Sequence, residues 1–239
     1  MRIDKLLANM GYGSRKEVKK LLKQGAILVN GEVITNPGTH VDPGSDRIFI
    51  FGEEVIYKEF VYFMMNKPKG VLSATEDVTQ PTVIDLLEED DRHFRPFPVG
   101  RLDKDTTGLL LLTNDGQLAH GLLSPKKGVI KTYYALVEGI FAEDDVQSFQ
   151  NGIALDDGYV TRSAKLSILK SGPVRSEVMI EITEGKYHQI KRMFIALGKK
   201  VVALKRIAMG PLQLDEDLEE GEYRELTEDE LTSLLTFKT

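Results

Sequence analysis

The sequence predicts an α+β protein, with a mixed and largely antiparallel sheet flanked by helices and a small module over residues 1–58 ahead of a larger domain over 59–239. Three observations carry this prediction. Short apolar runs of strand length outnumber segments with helical spacing. The two kinds of segment do not alternate regularly, as a doubly wound fold requires. The first 58 residues also hold a helix–helix–hairpin unit of their own.

In that unit, Ile3, Leu6, Leu7 and Met10 fall at i, i+3, i+4, i+7, the spacing of an amphipathic helix that Gly11 and Gly13 end. Ser14-Arg15-Lys16-Glu17 is a capping box opening a second helix, with Val18, Leu21 and Leu22 inward and lysines outward, closed by Gly25. Ala26–Val29 and Glu32–Thr35 flank Asn30-Gly31, a strong hairpin signal, and a further strand is expected over Arg47–Phe51. Glu53 to Glu59 reads as a charged link. Beyond it, Val61–Met65 reads as a buried strand, residues 82–87 as a helix capped by Thr82, and Leu109–Leu112 as a strand apolar on both faces. Asp115 caps a helix carrying Leu118, Leu122 and Leu123. Tyr133–Val137, Lys165–Leu169 and Glu177–Thr183 read as strands. Tyr187–Ala196 reads as a helix that sets His188 and Lys191 about one turn apart.

Composition limits the chemistry. The 239 residues, 41% hydrophobic, suffice for one large and one small domain. With no cysteine, a disulfide framework and a thiolate metal site are both excluded. The charged start Met1-Arg2-Ile3-Asp4-Lys5 lacks the apolar run of a signal peptide, and no stretch is long enough to span a bilayer, so a soluble cytoplasmic protein with no membrane partner is expected. The net charge of −6 hides a segregation. Residues 1–23 carry seven basic groups against Asp4 and Glu17, Lys186–Arg206 carries seven with no acid, and acids gather in Asp215–Glu230. Two basic segments suit phosphate contacts, whereas an acidic stretch needs only water.

The most informative stretch is Gly100-Arg101-Leu102-Asp103-Lys104-Asp105-Thr106-Thr107-Gly108, running into four leucines. Two glycines bracket a polar loop beside a buried strand, which is how a fold presents a reactive side chain. On local pattern alone, Asp103 and Asp105 also suit side-chain turns to nearby amides. The two carboxylates, divided by a lysine with no His or Cys near, make a poor metal site, and no metal or cofactor is expected.

The string Gly-Arg-Leu-Asp, two residues, Thr, one residue, Gly-Leu-Leu resembles the active-site signature of the pseudouridine synthases, in the branch that modifies ribosomal RNA. Asn66-Lys67-Pro68-Lys69-Gly70 resembles that family's first motif, Lys131-Thr132-Tyr133 the one supplying an active-site tyrosine, and Glu184-Gly185-Lys186-Tyr187-His188-Gln189-Ile190-Lys191-Arg192-Met193-Phe194 the third. Residues 1–55 resemble the alpha-L RNA-binding module of a ribosomal small-subunit protein. The resemblance implies that Asp103 is the essential carboxylate, Tyr133 the active-site tyrosine and Lys191 the basic partner of Asp103, with Arg192 as runner-up. It also implies substrate or RNA contacts by Arg101, Thr106, Lys67 and Arg192, and phosphate contacts by Arg15, Lys16, Lys19 and Lys23 of the second helix. Lys191 departs from the Arg of many relatives, keeping the charge and losing the bidentate fork.

The implied reaction breaks the bond from ribose to the base nitrogen and remakes it to carbon 5. It needs an ionised carboxylate, which a cation within about 4 to 6 Å favours, and a proton acceptor, with no added cofactor. Asp103 acts either as a nucleophile or as the trigger of a sugar elimination, and the sequence leaves both routes open. Tyr133 would stack on the base or accept the proton, and Tyr134 should face the opposite side of the sheet. His188 reads as a packed, hydrogen-bonded residue outside the catalytic set. The Tyr-His-Gln-Ile-Lys-Arg-Met-Phe form and Gly221–Thr227 resemble the small-subunit group. The expected partner is ribosomal RNA or the assembling small subunit, with the chain acting as a monomer. Large-subunit RNA is the alternative target. A non-catalytic RNA-binding escort would have no reason to keep Asp103, Tyr133 and Lys191 together, and a methyltransferase should show a glycine-rich nucleotide loop that this chain lacks.

Overall fold

A computed structural model describes residues 1–237, which form two compact units, residues 1–61 with 88–96 and residues 62–87 with 97 onward. In the first, α1 (Ile3–Asn9) and α2 (Arg15–Lys23) follow the apolar spacing. The capping box is present at α2: the Ser14 N–H donates to Glu17 Oε2 at 2.8 Å, and the Glu17 N–H donates to Ser14 Oγ. Strands β1 (Ile27–Val29) and β2 (Glu32–Val33) pair through Leu28–Val33 and Val29–Glu32. Asn30 and Gly31 both hold positive φ, 52° and 86°, as a tight right-twisting hairpin requires. Strands β3 (Ile48–Ile50) and β4 (Glu53–Glu54) complete a four-stranded sheet ordered β2-β1-β3-β4. Glu53 and Glu54, expected in a link, are therefore a strand, and Arg47 ties Glu54 to it at 2.9 Å. Ile3, Leu6, Leu7, Val18, Leu22, Ile27, Ile48 and Ile50 fill the core between helices and sheet.

The short helix α3 (Glu89–Arg92) also belongs to this unit, although the sequence reading gives residues 88–96 to the large domain. His93 lies so close to Gly11 that a Cβ there would come within 2.8 Å of its ring.

The second unit is built on β5 (Tyr62–Lys67), β6 (Phe97–Pro98), β7 (Thr107–Thr113), β8 (Lys131–Glu138), β9 (Lys165–Lys170), β10 (Arg175–Ile182), β11 (Lys200–Met209), β12 (Leu212–Gln213) and β13 (Tyr223–Glu225). Its main order is β13-β5-β7-β11-β8-β10-β9. Among the described strands every pairing is antiparallel except β7 with β11, which gives the mixed sheet. Helix α4 (Gly116–Leu123) starts on Asp115, whose Oδ1 accepts from the N–H groups of Gln117 and Leu118 at 2.9 Å each. Its Leu118 and Leu122 pack with Met64, Leu109, Leu111, Met209 and Leu234, the last from α7 (Glu228–Phe237). Helix α5 (Glu143–Asn151) brings Phe149 against Phe194 of α6 (Gln189–Ala196), ring centroids 5.2 Å apart.

Residues 82–87 form turns rather than a helix. Thr82 is held in a bridge to Leu72, and Asp85 accepts both its N–H and its hydroxyl. The backbone there closes three-residue hydrogen bonds, Asp85 to Thr82 and Leu87 to Ile84, and the Val83 N–H donates to Leu72 O. Helix α6 begins at Gln189, two residues late, because His188 sits in the left-handed region at φ 50°. The strand β11, centre of the sheet, and the helices α5 and α7 have no counterpart in the sequence reading.

Candidate active site

Arg101 to Thr106 form the loop that feeds β7, and backbone contacts fix it from below. The Ser73 hydroxyl donates to Leu102 O at 2.9 Å, and the Leu102 N–H donates back at 3.1 Å. The Lys67 ammonium, wholly buried, donates to Pro68 O at 3.0 Å, Thr106 O at 3.1 Å and Asp103 O at 3.2 Å. The Gly70 N–H donates to Lys104 O at 2.8 Å. The Asn66–Gly70 stretch thus lies beneath the loop and clamps its carbonyls. Lys67 gives its donors to main-chain oxygens and lines neither of the cavities that Asp103 lines, which corrects its reading as an RNA contact. Burial pushes its ammonium down to about 8, offset in part by Asp105 and Asp103.

At the far end of the loop, Gly108 lies against the backbone of β11. A Cβ there would stand 2.2 Å from Arg206 O, and φ is +101°, so the parallel β7–β11 pairing requires glycine.

The loop's side chains face α6. Lys191 Nζ lies 2.9 Å from Asp103 Oδ2 and 2.5 Å from Asp105 Oδ1, so one cation bridges two carboxylates. Burial opposes the charge of Lys191, but its hydrogen bonds to Asp105 and Asp103 and their charges outweigh this and hold the ammonium above its ordinary value. Burial likewise opposes ionisation of Asp105, and Lys191 outweighs it, keeping that carboxyl below its usual range. Arg192 points elsewhere, pairing with Asp156 and, at 2.7 Å, with Asp157. The runner-up partner of Asp103 is thus placed on other carboxylates, since successive helix positions face different ways.

Tyr133 is buried, and with Arg101, Asp103, Thr106 and Lys191 it lines a cavity of 80 Å³. The Thr106 hydroxyl, buried there, makes no hydrogen bond within the protein. A wider cleft of 600 Å³ shares Arg101, Asp103 and His188 with it. His188 is not packed as expected. Its side chain is 39% exposed, with Nε2 3.6 Å from Asp103 Oδ1, and it stacks on exposed Tyr187 at 3.8 Å. Tyr134 faces the other way and donates to Glu177 at 3.0 Å.

Arg15, Lys16, Lys19 and Lys23 are all exposed on α2 in the first unit. Sequence reasoning missed Asp105 as the second carboxylate on Lys191 and Ser73 as a brace. The Asp-x-Asp spacing was a usable signal for the first; nothing local marks Ser73.

Among the described residues no helix is long and apolar enough to cross a membrane.

Comparison with known proteins identifies the family. Residues 61–196 match the family model described as RNA pseudouridylate synthase, and residues 1–48 match the S4 domain. The chain is 54% identical to the uncharacterized RNA pseudouridine synthase YtzG of Bacillus subtilis, over 97% of each chain. It is 41% identical to the ribosomal small subunit pseudouridine synthase A of Vibrio cholerae, covering 98% of this chain and 99% of that one. It is 40% identical to the ribosomal large subunit pseudouridine synthase B of Bacillus subtilis, covering 98% and 95%. Among solved structures, a crystal structure of a pseudouridylate synthase superposes with a TM-score of 0.68 at 38% identity, covering 98% of this chain and 99% of that one. With its family model spanning more than half of the chain and its relatives aligned end to end, the protein belongs to the RNA pseudouridylate synthases and carries an S4 domain at its N-terminus.

Proposed function

We propose that the protein isomerises a uridine of small-subunit ribosomal RNA to pseudouridine, with Asp103 as the essential catalytic carboxylate. The observation that carries this reading is the Asp103–Lys191 pair at 2.9 Å, set at a cavity that Tyr133 and Thr106 complete. In this reading the Lys191 ammonium balances the negative charge of Asp103 as the bond from ribose to the base nitrogen breaks. The 80 Å³ space beside Tyr133 holds the freed base while it turns to offer carbon 5. The Tyr133 hydroxyl then relays to solvent the proton that carbon 5 releases, the base nitrogen freed from ribose takes up a proton in its place, and the buried hydroxyl of Thr106 serves a polar edge of the base. No atom is gained or lost. Lys67 keeps the loop carbonyls in place and touches no substrate. The two expected domains divide the work: residues 1–58 bind RNA through Arg15, Lys16, Lys19 and Lys23, and residues 59–239 carry out the chemistry.

Identity does not choose the RNA, since relatives named for the small and the large subunit stand at 41% and 40%. The Tyr187–Phe194 form of the third motif and Gly221–Thr227 favour the small subunit. The test is tritium release from ribosomal RNA labelled at uridine carbon 5, with the two subunit RNAs assayed separately. The wild type should release label from small-subunit RNA without added cofactor, and Asp103→Asn should bind that RNA and release none. Release from large-subunit RNA alone would overturn the choice of target. Turnover by Asp103→Asn would overturn the assignment of the carboxylate.

A further inference from the structure

Beside the Asp103 cavity lies a second one, of 260 Å³, whose lining includes Arg101, Lys131, Tyr133, Arg162, Lys186 and Arg206. Strand register explains the grouping. Tyr133 of β8 stands opposite Arg206 of β11, and Lys131 lies two residues before Tyr133, so all three share one face of the sheet. Arg206 is only 2% exposed. Its Nε donates to Leu109 O at 2.8 Å, while Nη2 is buried and makes no hydrogen bond among the described residues. Burial, together with the neighbouring charge of Arg206, lowers the Lys131 ammonium below its ordinary value.

The carboxylate in the lining, Glu184, is committed elsewhere. Its Oε2 accepts from the Tyr159 hydroxyl at 2.6 Å, and its Oε1 accepts from the Arg162 N–H at 2.9 Å and from Gln189 Nε2 at 2.7 Å. Two adjacent, largely buried cations with an unused donor are unfavourable in a folded chain unless an anion completes them. A base carbonyl would satisfy the donor but not the second charge. A phosphodiester satisfies both, and guanidinium and ammonium groups are its usual ligands.

We propose that this cavity is a subsite for one phosphodiester of the RNA strand next to the uridine that enters the Asp103 cavity, with Lys131 and Arg206 on the phosphate oxygens. The inference rests on the isomerase reading and deepens it. Arg101, Tyr133, Gly185 and Lys186 border both cavities, so an anion held in one is a short covalent reach from a base held in the other. Gripping the strand there indexes which base lies over Asp103. Because the phosphate is unchanged in the reaction, its grip acts on substrate and transition state alike and is expressed in KM rather than kcat.

The test uses the full chain and short ribosomal RNA substrates carrying one neutral methylphosphonate on either side of the target uridine. Binding is read by fluorescence anisotropy and turnover by tritium release. For the wild type, one of the two positions should weaken binding and raise KM on the order of tenfold or more, with kcat nearly unchanged. Lys131→Met should show the same loss on unmodified RNA and no further loss on that methylphosphonate. Arg206→Lys, which keeps the charge in case Arg206→Met fails to fold, should retain part of the sensitivity. A wild type indifferent to the linkage at both positions, or a Lys131→Met variant as sensitive as the wild type, overturns the subsite. A wild type that binds but releases no tritium from any unmodified ribosomal RNA overturns the isomerase reading instead, and the binding arm still reports on the phosphate.

Discussion

Replacing Lys191 with methionine removes the cation between Asp103 and Asp105 while keeping a side chain of similar length. At 2.9 Å and an effective dielectric constant near 20, the Asp103 pair is worth about 6 kcal/mol of Coulomb attraction before desolvation is charged against it. Breaking a fully buried pair costs about 3 to 5 kcal/mol. The side chains here are 19% and 28% exposed, which lowers the figure to about 2 to 3 kcal/mol for this partly screened case. The second ion pair adds little, because Asp105 is 69% exposed. If that stabilisation is expressed in the reacting complex, kcat/KM should fall roughly 30- to 160-fold.

The pH profile supplies a sign that a loss of folding would not. Lys191 holds Asp105 below the usual carboxylate range against the opposing effect of burial. A lowered carboxyl contributes stability that is present above its ordinary value and lost as pH falls through the folded one. Without Lys191 a backbone hydrogen bond and the charge of His188 are left to oppose burial, so Asp105 takes up its proton at higher pH and the acid limb of the pH–rate profile should move upward. Lys191→Arg keeps the charge and should keep most of the activity. The assay is tritium release from about pH 3 to about pH 8, on the order of one measurement per half unit, which brackets the carboxylate range. The reasoning fails if Lys191→Met leaves rate and profile unchanged, or if Arg192→Met abolishes activity while Lys191→Met does not.

Three further outcomes follow. Lys67→Met removes the ammonium from the carbonyls of Pro68 and Thr106 and leaves Asp103 O to the Thr106 N–H, so chemical denaturation should show a loss of about 1 to 3 kcal/mol, and kcat should fall although Lys67 touches no substrate; unchanged kcat in a stably folded variant would dismiss its positioning role. Changing Arg15, Lys16, Lys19 and Lys23 together to glutamine should lower the salt slope of RNA binding by about 0.7 to 0.9 for each phosphate no longer neutralised, and leave kcat at saturating RNA near the wild-type value; an unaltered slope would assign α2 to another partner. Gly108→Ala should destabilise by at least about 1 to 3 kcal/mol from its backbone conformation alone, more once the approach to Arg206 O is counted, and thermal melting checks this.

Much of the fold was legible where local signals were strong. The Ser14 capping box, the Asn30-Gly31 turn and the Asp115 cap each fix backbone donors within a few residues, so sequence and structure agree there. The central strand β11 was not legible. Its Lys200, Lys205 and Arg206 read as a solvated basic segment, yet it runs between β7 and β8, and Arg206 is buried beneath its neighbours. That placement depends on pairings with strands far away in the sequence, which no local pattern carries. Residues 82–87 failed for the same reason: helical spacing was overridden by the bridge from Thr82 to Leu72.

The candidate site shows the same division between what a motif names and what the fold decides. The motifs gave Lys191 to Asp103, with Arg192 as runner-up, and gave Lys67 to RNA. The structure separates the two lysines by burial. Lys67, with no access to solvent, takes only main-chain oxygens, and carbonyls fix a loop's path without drawing on its side chains. Lys191, closer to the surface, takes the two carboxylates. Had Lys67 paired with Asp103 instead, the carboxylate would have been drawn into the core and away from the cavity. Position and charge are thus supplied by two different lysines, and the two variants should fail differently: Lys67→Met in folding and kcat together, Lys191→Met in kcat/KM and in the pH at which activity is lost.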